Sequence, residues 1–436
     1  MSAPTGLADR MTSGEVAPGL RLVTMPMGVP EVLTIYGSLY GGEVFNSSDN
    51  CALSDVTAAM LDKGTRQRDK FAISGLLESV GAHISFSSDD YRVNFSARCL
   101  REHMPLVLEL LAEQLREPAF EEADLESLKK RMLGNLLRDQ ESTHEQAQLR
   151  FSQLAYPEGH PNYTPPFDRQ KADVERLTGA QLAEFHDRYY GRGSLLVVAT
   201  GDVDHSQLAE ALLSGFGDWR PVQLDLPPKD RLRGHRGHPA VQEVVALPDK
   251  TSVDLILGLV TPIHREHPDF LPLYVGSYIL GGNFAARLMT TVRDEAGLTY
   301  GIGTGLGGAG EGKDAFWITS GTFAPALLEA GRAATMEQIT RWAESGVTAK
   351  ELAAKKTTIT GTFQVGLATT RGMAAAMLDV LERGLELDYL DEYPQEIMGL
   401  KLAAVNRAIS KYIRTENLLA VAAGSLDDQG QPLKEQ

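Results

Sequence analysis

The chain has 436 residues, a length that holds two or three domains at roughly 150 residues each. Hydrophobic residues make up 43% and charged residues 23%, which excludes disorder as the main state. Asp and Glu outnumber Lys and Arg by 58 to 42, and the net charge of -16 repels phosphate backbones and anionic lipid, so neither a nucleic acid nor a membrane is expected as a partner.

The first residues, MSAPTGLADRMTSGEV, have neither the basic nor the apolar stretch of a secretory leader. No apolar run approaches the ~20 residues of a membrane span. The expectation is a cytoplasmic protein. Strands follow at 20–26 (LRLVTMP) and 31–42 (EVLTIYGSLYGG), rich in Val, Leu, Ile and Tyr. A helix is expected at 53–62. A second helix runs into a Gly-bearing turn and a strand pair at 82–90 and 91–99. Residues 103–117 place apolar side chains at 105, 106, 108, 110, 111 and 115, a helical stripe. A helix ending in HDRYY and a buried strand at 195–204 close this half. Residues 220–234, with Pro227 and Pro228, scattered charge and no sustained periodicity, have linker chemistry. The one dense basic stretch, 229–236, falls at its end. Beyond it the plan returns: strands at 241–249 and 252–260, a helix at 268–280, a second helix, a strand pair at 298–306 and 314–322, further helices, and a strand at 418–427.

The return of the plan is matched by a return of sequence. SVGAHISFSS at 79–88 resembles EAGLTYGIGT at 295–304, with Gly81 opposite Gly297 at an offset of 216. ADLESLKKRMLGNL at 123–136 resembles KELAAKKTTITGTF at 350–363, and Leu125, Lys129 and Gly134 fall on Leu352, Lys356 and Gly361 at an offset of 227. LLVVATGDVD at 195–204 resembles LLAVAAGSLD at 418–427 at an offset of 223. Three matches in one order imply two copies of one fold. The reading is a repeat at 15–218, a linker at 219–235 and a repeat at 236–430. Strands, then helices, then a returning strand imply an α+β fold, each copy a mixed or antiparallel sheet with helices over one face.

Candidate chemistry is sparse. Cys51 and Cys99 are too few for a disulfide framework or a Cys-rich zinc site. Among the ten histidines no H-E-x-x-H or H-x-x-E-H occurs. The pairs His235/His238 and His264/His267 are spaced i, i+3 in loop-like sequence, whereas a helical zinc pair needs i, i+4. The stretch GIGTGLGGAGEGKDAF from Gly301 approximates both a dinucleotide fingerprint and a P-loop. Asp314 stands where a P-loop needs Ser or Thr, and a strand follows where both motifs need a helix N-terminus, so the stretch reads as a hairpin. Arg293 and Tyr300 form one further cluster. Both are hydrogen-bond donors at neutral pH, and two donors aimed at one carbonyl oxygen stabilise an oxyanion.

On CALSDVTAAMLDKGT (51–65), AYPEGHPNY (155–163), LTGAQLAEFHDRYYGRGSLLVVATGDVD (177–204) and YILGGNFAARLMTTVRDEAGLTYGIGT (278–304), the chain resembles the pitrilysin or insulinase-type zinc peptidases, which include the mitochondrial processing peptidase subunits. The resemblance covers about 15–430. It implies two tandem homologous domains forming half of a clamshell. It also implies that Arg293 and Tyr300, seven positions apart, contact substrate. The zinc signature of active members reads G-L-A-H-F-L-E-H-M-L-F-K-G-T. Here the two His ligands fall on Asp55 and Ala59, the general-base Glu falls on Ala58, and the distal Glu ligand falls at Gly134 or Asn135. One carboxylate cannot replace two imidazoles and a Glu, so no cofactor is expected in this chain. The resemblance then implies the zinc-free subunit of a heterodimeric, bacterial two-subunit peptidase, supplying Arg293 and Tyr300 to peptide held at a homologous partner's zinc. The alternative is a non-catalytic scaffold or peptide-binding homologue, possibly a homodimer.

Overall fold

The computed structural model describes residues 6–433 except 227, 229–231, 238 and 311. The apolar runs become strands of two mixed sheets. The first is built from β1 (Thr12–Ala17), β2 (Leu20–Pro26), β3 (Val32–Tyr40), β4 (His83–Ser88), β5 (Arg92–Leu100) and β6 (Leu195–Gly201), in the order β1-β2-β6-β3-β5-β4. The second uses β7 (Val241–Ala246), β8 (Val253–Val260), β9 (Thr299–Gly307), β10 (Phe316–Phe323) and β11 (Leu419–Gly424), in the order β7-β11-β8-β10-β9. Apart from β1, the two orders are the same. In both, the returning strand is parallel to the opening strand (β6 with β2, β11 with β7) and every other pairing is antiparallel.

Both faces of each sheet are covered, where the sequence suggested one. In the first sheet Leu20, Leu22, Leu33, Ile35 and Val197 face one core, together with Leu108, Leu111 and Leu212 from helices Met104–Arg116 and His205–Phe216. Val23, Met25 and Val198 face the other way, onto Met373, Met377 and Leu381 of helix Thr370–Glu382. In the second sheet Ile256, Val260, Leu419 and Val421 pack on Ala147, Phe151 and Ala155 of helix Thr143–Ala155. Helices Thr370–Glu382 and Thr143–Ala155 each come from the other half of the chain. The compact units are therefore not the contiguous halves. One comprises 1–133, 170–226 and 361–395; the other comprises 134–169, 227–360 and 396–436. The physical reason is that β6, β8 and β11 are apolar at nearly every position and need cover on both sides.

Polar contacts seat the two covering helices alike. Ser142 and Thr369 cap their N-termini by accepting from Glu145 N and Gly372 N. The next residue then reaches the sheet. The Thr370 hydroxyl accepts from Thr34 (3.0 Å) and its carbonyl accepts from Thr200 (2.8 Å), while Thr143 donates to Asp254 (2.6 Å).

The aligned residues also have matching duties. Lys129 donates to the Glu175 carbonyl at the end of helix Phe167–Glu175, and Lys356 donates to the Met398 and Leu400 carbonyls at the end of helix Tyr389–Gly399. An ammonium at the negative end of a helix is stabilising. Gly134 and Gly361 lie inside helices Glu122–Gln140 and Ala349–Leu367, where the chain passes from one unit to the other. Gly81 and Gly297 both sit at left-handed φ, +62° and +66°, in the turn leading into β4 and β9. A Cβ at either would meet nothing within 4 Å, so backbone conformation alone calls for glycine. Gly81→Ala and Gly297→Ala should each lower stability by about 1 kcal/mol through αL strain, read as lower urea midpoints; an unchanged midpoint for both would contradict that account.

Candidate functional site

Helix Leu53–Met60 holds the positions aligned with a zinc signature. Its start is fixed by side chains: Asp173 accepts from Cys51 N (2.9 Å), Asn50 from Ala52 N (2.8 Å) and Asn46 from Ser54 N (2.8 Å). Ala58 is buried in the core and Ala59 is half-buried, so both positions offer only methyl groups. Asp55 is reached by solvent. Loss of hydration to the surrounding protein first, and the negative charge of Asp89 second, push its carboxyl up to about 6. Gly134 and Asn135 are exposed on their helix, and Asn135 accepts from Arg138. This donor set does not fit zinc. Among the described residues, no three His, Cys, Asp or Glu side chains come together as a metal ion requires.

The other sequence candidates have structural duties. His264 contacts Glu266 (3.1 Å), and its ring lies 5.7 Å from that of His267 at 82°. His267 Nδ1 accepts from Asp269 N (3.0 Å). His238 lies outside the described residues. The Gly-rich stretch forms most of β9 and leads to β10, a strand where both motifs need a helix. Asp314 is fully buried, where Arg233 and Arg236 donate to its carboxylate, so it anchors the chain leaving the linker.

Arg293 and Tyr300 do come together. Arg293 belongs to the π-helical segment Met289–Glu295, and Tyr300 lies on β9, an edge strand. Arg293 Nε donates to the Tyr300 carbonyl (2.9 Å), and its Nη1 to Asp294 (2.9 Å). Arg293 and Asp294 thus form a surface ion pair, and Tyr300 is 96% exposed.

The cause is a β-bulge that the sequence did not reveal. Strand alternation puts Tyr300 on the face of Ile302 and Thr304, both buried. Gly301 pairs with Thr322, but the next pair is Thr299 with Phe323, so Tyr300 is an extra residue outside the ladder. At the 216 offset its counterpart is Ile84, in an unbroken register and only 6% exposed, and Arg293's counterpart is Leu77, 9% exposed. Two core positions of the first copy are thus turned outward in the second. That comparison was the available signal.

Family models match along the chain. "Insulinase (Peptidase family M16)" covers 40–157 and "Peptidase M16 inactive domain" covers 176–359. The chain belongs to the insulinase (M16) peptidase family. It is similar to an uncharacterized zinc protease of Streptomyces coelicolor, 25% identical over 293 residues, 65% of this chain and 62% of that one. It is also similar to the non-peptidase homolog YmxG of Helicobacter pylori, 22% identical over 283 residues, 64% of this chain and 62% of that one. The match spans less than two thirds of either relative. A crystal structure of a peptidase M16 inactive domain from Pseudomonas fluorescens has the same fold, with a TM-score of 0.86 at 21% identity, covering 97% of this chain and all of that one. Within the M16 family this chain is a homologue whose zinc-signature helix lacks the zinc ligands.

Two outcomes follow from the degenerate helix. Purified protein supplemented with zinc should hold well under one zinc per chain by elemental analysis; a stoichiometric value would mean an unrecognised site. Asp55, with its pKa raised from 3.8 to about 6, favours the protonated form in the folded state. Unfolding therefore becomes easier as pH rises through that window, and the penalty is constant above it. Asp55→Asn should raise the urea midpoint relative to wild type at pH 7.5, with the gap closing by about pH 4. A gap of the same size at both pH values would exclude the shift.

Proposed function

We propose that this chain is the zinc-free subunit of a two-subunit M16 peptidase. It supplies Arg293 and Tyr300 to peptide bound at the zinc of a homologous partner. The observation that carries this reading is the exposed Tyr300 hydroxyl on an edge strand, beside a guanidinium that holds its carbonyl. A 96% exposed aromatic adds little to a core, and turning it out of the ladder forfeits burial that Ile84 enjoys at the aligned position. Peptide would lie extended by strand addition to a sheet edge. As the scissile carbonyl becomes tetrahedral, negative charge grows on its oxygen. A phenol hydroxyl and a guanidinium N–H at that oxygen strengthen with the charge, which lowers the barrier rather than merely tightening binding.

The names of relatives support both halves of such a pair. One is a zinc protease by name, the kind of chain that would bring the metal, and another is a non-peptidase homologue. The latter also favours a second reading, a non-catalytic scaffold or peptide-binding protein. The two readings part at Tyr300. With this chain mixed with a zinc-signature homologue from the same source, Tyr300→Phe should cut peptide turnover by about a hundredfold, the usual size of a lost oxyanion donor. Arg293→Lys should be impaired as well, because it loses the planar fork. Turnover within twofold of wild type, with the heterodimer intact by sedimentation, would favour the scaffold.

A further inference from the structure

The bulge needs a lock. An edge strand has no outer neighbour to hold an extra residue in place, and the inward position that strand alternation gives Tyr300 is apolar in the first copy. Thr299 spans the defect. Its hydroxyl lies 2.5 Å from the Thr322 carbonyl and 3.0 Å from the Gly301 carbonyl, and Gly301 N donates back to it (3.2 Å). From the other side, Arg293 Nε holds the carbonyl of the bulged residue itself. The two ends of the bulge and its centre are thus tied by one hydroxyl and one guanidinium. At the 216 offset Thr299 falls on His83, whose strand pairs without interruption, so the first copy has no bulge to hold.

We infer that Thr299 is a positioning residue: with Arg293 it forms a clasp that fixes the β-bulge and so presents the Tyr300 hydroxyl outward. This rests on Tyr300 being the group that meets substrate, but the clasp itself is a property of the free chain. Arg293 thereby has a second duty. Its Nε–H and one Nη1–H are spent on the chain, which leaves its remaining Nη N–H groups for a ligand.

The clasp can be read without catalysis. In full-length chain labelled with 3-fluorotyrosine, Tyr300→Phe assigns the Tyr300 line in the 19F spectrum. Thr299→Val, which keeps the shape and removes the hydroxyl, should shift or broaden that line, while Thr299→Ser should restore it. In the reconstituted pair, Thr299→Val should lower kcat at least tenfold with little change in KM, and Thr299→Ser should recover most of it. A Thr299→Val line at the wild-type position, or an equal shift in Thr299→Ser, overturns the clasp. Should Thr299→Val fail to fold, Arg293→Met removes the other tie and must displace the same line; an undisplaced line overturns the clasp equally. An unshifted line refutes the clasp and leaves the donor role standing, whereas unimpaired turnover in Tyr300→Phe refutes the donor role and leaves the clasp standing.

Discussion

The architecture depends on one constraint: each sheet has two apolar faces, and the half of the chain that makes the sheet leaves one of them bare. Val23, Met25 and Val198 on the first sheet, and Ile256, Leu419 and Val421 on the second, would otherwise meet water. Burying side chains of this size is worth roughly 2 kcal/mol each, so an uncovered face of several would cost a sizeable part of a domain's stability. The helices Thr370–Glu382 and Thr143–Ala155 supply the missing cover. Their polar first residues, Thr370 and Thr143, meet polar groups on the central strands, which fixes where each helix lands.

The same duplication that organises the core makes the candidate site possible. In the first copy the turn from helix Lys70–Ser79 into β4 delivers Leu77 and Ile84 to a core. In the second, the equivalent turn keeps its left-handed glycine, but a π-helical segment precedes it and a bulge follows it. Both are insertions of one residue's worth of geometry, and both re-aim side chains without disturbing the sheet's order. A frame held by burial can tolerate such a local change at an edge strand, because the ladder resumes at Gly301.

The fold class was legible in the sequence: the α+β plan and most of the strands rest on composition and periodicity, which respond directly to burial. The loss of zinc ligands at Asp55, Ala58 and Ala59 is a matter of residue identity and needs no coordinates. What was hidden depends on long-range packing. The runs at 195–204 and 252–260 are apolar at successive positions, which is the mark of two-sided burial, yet nothing local says which helix covers the second face. Tyr300 is harder still. Its parity with Ile302 places it inward, and only the register of β9 against β10 shows that it points out. That Asp314 breaks the P-loop pattern is plain from its identity, whereas its role as the anchor of Arg233 and Arg236 depends on a fold that brings the linker to the hairpin.

The reciprocal cover has a bearing on synthesis. Thr34 and Thr370 are 336 residues apart, and the helix that caps the first sheet is made about 180 residues after that sheet's last strand. At ribosomal speeds of ~5–20 residues per second, that interval is on the order of 10–40 s. Throughout it the nascent first sheet carries a bare face of Val, Met and Leu. The first sheet therefore cannot complete its second core until residue 382 has been made.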